Sequence, residues 1–503
     1  MAARYLAAQG IDVDAEMSKV QFGQAALGTT TQPLTLRPFR RIETVLNASV
    51  PGTQKSSLWD ISISAGRVQS ISPHDPVRLQ SCLGEPSSID AYGALLAPAL
   101  CHPHIHLDKP YLLSHPKYSH LQIQRGDFAE AMDLTNRAKN DFEIDDLLER
   151  GQRLVDESIS AGVTSMRAFV EVDPVVDTKC LDAGITLKNK ARDKCDIQIC
   201  AFAQLALFSV HEDDGENMRS LVRSAAQRAE VDVVGSTPYV ETTGEAMKKN
   251  IEWTIELALS CQKHVDLHLD YNLDPDNKPL VWHVIETLKA KNWTARTSKS
   301  IVLGHCTRLC LFSPDEWRKL KHEIDTLPIS FVGLPTSDLF MMRTENQTRG
   351  TLPIPSLVKD YGINAAIGIN NIGNAFTPQG CCDPLSIASM GVGVYQAGTV
   401  RDVETLYECI STRARSAIGL AEYQTKESAN SMDTSTPTSP DEESESVSDG
   451  KFHPTVLPGQ PADLLLFGKD DIEWRTRKSI SEAVYLYDGA NNRICLKGGV
   501  LVE

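Results

Sequence analysis

No run of about 18 apolar residues occurs anywhere in the 503-residue chain, so no membrane-spanning helix is expected. Basic residues are scarce: 50 Lys and Arg face 66 Asp and Glu, and the net charge of −16 argues against a nucleic-acid surface. Part of that imbalance is local, since residues 424–450 carry seven acids and one lysine. Twelve cysteines occur without any C-x-x-C spacing, which points away from a zinc finger and from a disulfide framework. Cys381 and Cys382 are adjacent and read as unbridged, and a reducing, cytoplasmic setting is the expectation. The N-terminal stretch MAARYLAAQGIDVDAEM has no apolar h-region and carries acids early, so it reads as a tail and not as a signal peptide.

What is present is the composition of a soluble globular protein, with 41% hydrophobic and 23% charged residues. Between residues 34 and 97 the pattern is short and alternating. LWDISISAGRVQSI predicts strands Trp59–Ser64 and Arg67–Ile71 around a tight turn at Ala65-Gly66. After residue 453, PADLLLF, AVYLYDG and RICLKGGVLVE predict further short strands. The two ends together are therefore expected to build one small β-sheet domain. Residues 1–33 read as a tail, and 424–452, rich in Ser, Thr, Asp and Glu, as an acidic disordered loop.

The middle, 98–423, alternates apolar runs with amphipathic segments. Eight runs occur: LLAPALCHPHIH, VTSMRAFV, DIQICAFA, VDVVG, VDLHL, IVLGH, ISFVGLP and INAAIGI. Helices are predicted between most of them, at Asp145–Ala161, Glu245–Lys263, Pro279–Lys291 and Pro314–His322. Strands alternating with helices argue a parallel sheet, and eight units argue a closed α/β barrel of the (β/α)8, TIM type.

Polar residues sit at the ends of these runs. His104 and His106 end the first, Gln204 follows the third, His268 ends the fifth, His305 the sixth, and Asn370-Asn371 follow the eighth. Barrel enzymes keep their chemistry at the C-terminal ends of the strands, so residues remote in sequence would converge there. His104 and His106 are two apart on an extended segment and point to one side, where both imidazoles can reach one ion. Any one of these histidines alone reads better as a polar turn or a satisfied core residue; four on three strand ends favour a metal. Lys109, Arg167 and Arg343 are rim candidates for an anionic group, each equally readable as a structural ion-pair partner.

In these stretches the chain resembles the amidohydrolase superfamily, specifically its cytosine deaminase-like branch. The resemblance rests on IDAYGALLAPALCHPHIHLDK, AGVTSMRAFVEVDP, DIQICAFAQ, VDVVGSTPYVE, VDLHLD, LGHCTRL, LPTSDLFMMR and GINNIGN, in that order. It implies a metal-dependent hydrolase barrel with His104, His106 and His268 as metal ligands. It further implies His305 as the histidine that contacts the attacking water or substrate, and Gln204 as a substrate-holding amide. Two positions depart from the family pattern. Tyr271 stands where a proton-shuttling carboxylate is usual, and Asn370 where an aspartate ligates the ion and deprotonates water. An amide oxygen ligates weakly, and a neutral amide accepts no proton at pH 7.

The base must then be another group. His305 is the first candidate, with Asp270, Asp338 and Asp108 as carboxylates near the same rim; Asp108 reads more readily as a geometric support. Tyr271, a phenol with an ordinary pKa of about 10, can donate but is a poor neutral-pH base. The expected function is hydrolysis of a non-peptide C–N bond in a cyclic amide, amidine or aminated heterocycle, by water activated on one divalent ion, Zn or Fe. A binuclear site would call for a bridging lysine or carboxylate on the fourth run, and VDVVGSTPYV supplies no lysine there, so a single ion is expected. The rival is a catalytically silent barrel that kept ligand binding for a regulatory role. The partner is a small molecule, not nucleic acid or membrane, and a homo-oligomer is compatible with the composition.

Overall fold

The computed structural model describes residues 40–53, 57–210, 213–420, 456–489 and 492–502. The expected tail at 1–33 and the acidic loop at 424–452 lie outside the described residues. Eight parallel strands form the central sheet: β1 Leu100–His106, β2 Val163–Glu171, β3 Asp196–Ala203, β4 Val231–Ser236, β5 His264–Leu269, β6 Ile301–His305, β7 Ile329–Gly333 and β8 Ala365–Ile367. They pair strictly in chain order. Just beyond β8 the chain bridges back to β1: His106 N–H donates to the Asn370 carbonyl at 2.8 Å, and Asn370 N–H to the His104 carbonyl at 3.1 Å. The sheet is thereby a TIM-type barrel, with helices between the strands.

The strands were readable because both of their faces are covered. In β2 every residue of VTSMRAFVE is buried, and such strands appear in sequence as nearly unbroken apolar runs. The helices start on chemistry equally local. Ile144–Ser160 opens with a capping box between Glu143 and Asp146, and Pro314–Ile324 with one between Ser313 and Glu316. Gly162 follows the first of these at φ +98, where a Cβ would sit 2.6 Å from Leu465 Cδ1. A side chain there would crowd Leu465, and the positive φ itself favours glycine.

Two four-stranded sheets accompany the barrel. One has the order Arg67–Pro73, Trp59–Ser64, Thr44–Ala48, Ser88–Asp90; the other runs Val500–Val502, Arg493–Lys497, Leu464–Phe467, Leu96–Pro98. Ala65 and Gly66, both at positive φ, make the expected tight turn. Ile42, Val45 and Ile61 share an apolar core with Leu464, Leu466 and Leu496, so residues from both ends of the chain meet there. AVYLYDG is a correction: Ile480–Tyr485 is a short helix, and no strand. The Ser479 side chain caps it by accepting from Glu482 N–H, and a short apolar run is ambiguous between the two states.

Beneath the strand ends the barrel interior holds a buried ion pair. Arg167 Nη1 lies 2.9 Å from Asp266 Oδ2, and Arg167 also donates to Gln198 Oε1 and the Ile418 carbonyl. Arg167 is thus a structural partner and no rim residue. Asp266→Ala leaves a guanidinium buried without its counter-charge. A loss of about 3–5 kcal/mol in unfolding free energy is expected, measured by urea denaturation.

Candidate metal centre and adjoining pocket

His104 and His106 come from β1 and His268 from β5, and their ring nitrogens all lie within 4.8 Å of one another. Nε2 of His268 is 3.0 Å from Nε2 of His104 and 3.3 Å from Nε2 of His106. Among the described residues this is the one group of three or more His, Cys, Asp or Glu side chains that fits a metal ion. The rings are seated on Phe169 and Phe202: His104 is 4.0 Å from the first ring centroid and His268 4.4 Å from the second. Burial, reinforced by neighbouring cationic groups, holds all three imidazoles well below their ordinary pKa, so they are neutral with lone pairs available. Three converging neutral nitrogens without separate hydrogen-bond partners at that end suit a divalent cation of the Zn or Fe type. His104 Nδ1 faces Asp266 Oδ1 at 3.9 Å, placing a carboxylate behind a ligand ring.

Asn370 lies beside these rings. Its side chain is 3% exposed, and its carboxamide oxygen faces His104 with no hydrogen bond to any other described group. At φ +69 its backbone is left-handed, a conformation that asparagine tolerates better than most residues.

The histidines open onto a small pocket. Gln204, Tyr271, His305, Asn370 and Lys109 line it together with His106 and His268. No carboxylate is among the lining residues. His305, at φ +64, donates or accepts through Nδ1 at 2.8 Å from Asp338 Oδ1. Asp338 is itself held by Leu334 N–H and the Thr351 hydroxyl, and burial raises its carboxyl above the ordinary range. Tyr271 packs on the His305 ring at 4.0 Å between centroids, and burial keeps its phenol protonated far above neutral pH.

Asp270 is a correction. It was expected near the reacting groups, but its carboxylate accepts from Leu280 N–H at 2.7 Å and Val281 N–H at 3.1 Å. Its left-handed backbone, φ +48, breaks strand alternation, so Tyr271 takes the pocket side instead. Asp108 supports the backbone, accepting from Glu171 N–H at 2.7 Å. Lys109 pairs with Glu171, which Lys139 and Asp173 extend into a buried four-charge cluster, while its ammonium also reaches Gln204 Oε1 at 3.3 Å. Arg343 is not in the lining.

Three lining residues were not anticipated: Phe128, Tyr239 and Phe376. Phe128, Tyr239, Tyr271 and Phe376 form an aromatic wall with neighbouring centroids 5.5–6.0 Å apart, and the Tyr239 hydroxyl bonds Gln204. Tyr239 stands three residues past β4, a position that barrel logic alone would have flagged. Phe128 and Phe376 carry no such signal.

No protein-family profile matches the chain. It is 23% identical over 379 residues to an N-isopropylammelide isopropyl amidohydrolase of Pseudomonas sp. (strain ADP), covering 73% of this chain and 84% of that protein. In fold it is similar to a 5-methylcytosine deaminase from Klebsiella pneumoniae liganded with 5-fluorocytosine, with TM-score 0.72, 20% identity, and 92% of this chain and 97% of that one covered. An N-isopropylammelide isopropylaminohydrolase from Burkholderia multivorans gives TM-score 0.65 at 18% identity, over 91% and 97% of the two chains. The resemblance seen in the motifs therefore extends to overall sequence and to fold. No helix among the described residues is long and apolar enough to cross a membrane.

Proposed function

From its likeness in sequence and fold to the cytosine deaminase-like amidohydrolases, we propose that this chain is a metal-dependent hydrolase. It cleaves a non-peptide C–N bond in a cyclic amide, amidine or aminated heterocycle. The observation that carries this reading is the convergence of three buried, neutral imidazoles at the floor of a pocket edged by Gln204. His104, His106 and His268 hold one ion, Zn or Fe, and Asn370 adds its carboxamide oxygen. A bound divalent ion supplies water with a pKa near about 7.

The protein's own groups handle the protons and the substrate. Gln204 and the Lys109 ammonium grip the polar edge of a planar ring, which the wall of Phe128, Tyr239, Tyr271 and Phe376 covers. His305 takes the proton of the attacking water at Nε2 and returns it to the departing amine. Asp338 positions the ring through Nδ1 and stabilises it while charged. Tyr271 remains a hydrogen-bond donor, orienting a carbonyl. The barrel holds every reacting group, within domain bounds of 98–423 for the barrel and 34–97 with 453–503 for the sheet domain. The cysteines of the described residues are all free, in keeping with a cytoplasmic setting.

The test is metal analysis of the purified protein together with a turnover screen of cyclic amides and aminated heterocycles. About one bound ion per chain and turnover of at least one class are expected. Within an active pair, Gln204→Ala raises KM about tenfold or more, because a buried polar contact is left unmade. Stoichiometric metal with no turnover across the screen, unchanged in Asn370→Asp, would instead favour the silent barrel, a reading that the missing acids at 271 and 370 invite.

A further inference from the structure

The Asn370 amide is anchored at its nitrogen end. Its Nδ2 donates to Ser337 Oγ at 2.8 Å, and Ser337 Oγ lies 2.5 Å from Thr377 Oγ1. All three side chains are 3% exposed or less. The other end, Oδ1, is buried and turned to the His104 ring, with no hydrogen bond to any other described group. A buried carbonyl oxygen with so little hydrogen bonding is rare in native proteins. Turning the amide over would give the oxygen the Ser337 hydroxyl as a donor, but at the expense of the cation. It would aim an NH2 group, with two donors, at the point where the imidazole nitrogens converge and where a cation is to be held.

Thr377 is fixed independently. Its N–H donates to Asn374 Oδ1 at 3.1 Å, and Asn374 Nδ2 reaches Asn371 Oδ1 at 2.7 Å and the Lys109 carbonyl at 3.1 Å. Ser337 lies in the short helix Pro335–Met341 that follows β7, and its neighbour Thr336 donates to the Ile369 carbonyl at 3.1 Å. The hydroxyl pair thus spans two separate segments, and both are tied to the strand-eight loop that carries Asn370.

We infer that Ser337 and Thr377 present Asn370 oxygen-first as the fourth donor to the cation. Ser337 is then a positioning residue of an all-neutral N3O donor set. The inference rests on the metal site of the proposed function and deepens it. A neutral oxygen in place of a carboxylate leaves both charges of the ion uncompensated by its ligands. The donor is also weak by itself, so its orientation carries a larger share of its usefulness.

The experiment measures Zn2+ affinity by chelator competition and the visible spectrum of the Co2+-loaded full chain. Wild type is compared with Ser337→Ala, Ser337→Thr, Asn370→Ala, Asn370→Asp and His104→Ala. Ser337→Ala is expected to weaken Zn2+ binding about 10–100-fold, the range for lost outer partners of metal ligands, and Ser337→Thr to recover most of it. Asn370→Ala weakens binding at least as much and changes the Co2+ bands, and Asn370→Asp tightens binding by adding a charged donor. Apo-protein melting confirms that each variant is folded. Affinities and Co2+ spectra of Ser337→Ala and Asn370→Ala indistinguishable from wild type, with binding still abolished by His104→Ala, would overturn this inference and leave the metal site standing. A wild-type chain that binds neither ion would overturn the proposed function along with it.

Discussion

His268→Ala protein is expected to purify with less than about a tenth of the metal carried by wild type, and to lose turnover with it. The reason is geometric. His268 Nε2 is the atom closest to both partners, at 3.0 Å from His104 and 3.3 Å from His106, and it comes from the far side of the barrel from them. Without it, two nitrogens of one strand and the weak Asn370 oxygen remain, too few to hold the ion tightly. His104→Ala should act alike, and elemental analysis after dialysis reads both. Because the rings stack on Phe169 and Phe202, each variant also opens a cavity, so melting curves must accompany the metal counts. A His268→Ala chain that keeps stoichiometric metal would end the hydrolase proposal.

The second large effect falls on the His305 pair. His305→Ala should lower kcat roughly 10²–10⁴-fold while leaving bound metal unchanged, which separates proton handling from metal retention. Asp338→Asn should lower kcat in the same direction, since the amide can neither stabilise the charged ring nor hold one tautomer reliably. The distinguishing readout is the pH profile: the limb on which the rate rises with pH should move in Asp338→Asn, while KM changes little. An Asp338→Asn enzyme with wild-type kcat and an unmoved profile would reduce the 2.8 Å contact to a structural one.

Several features of the site were open to reading beforehand because they depend on short-range rules. HIH placed two imidazoles on one side of an extended strand. The eight apolar runs were visible because the parallel strands are covered on both faces. Asp270 and Tyr271 show where such rules stop. Alternation puts residue 270 beside residue 268, yet a left-handed φ at Asp270 turns its carboxylate to the Leu280 and Val281 amides. Of three rim carboxylates Asp270 was expected at the reacting groups and Asp108 as a support, yet it is Asp338 that meets His305. Phe128 and Phe376 belong to loops, where side-chain direction has no period to read.

From the linear chain alone follow the strands, the barrel they imply, and which histidines stand at strand ends, since periodicity, burial and capping act over a few residues. Folding in three dimensions decided the rest: which carboxylate meets His305, which amide end Ser337 takes, and that Arg167 lies beneath the site and not on its rim. Those outcomes depend on contacts between residues tens to hundreds of positions apart, and no local pattern encodes a distance of that kind.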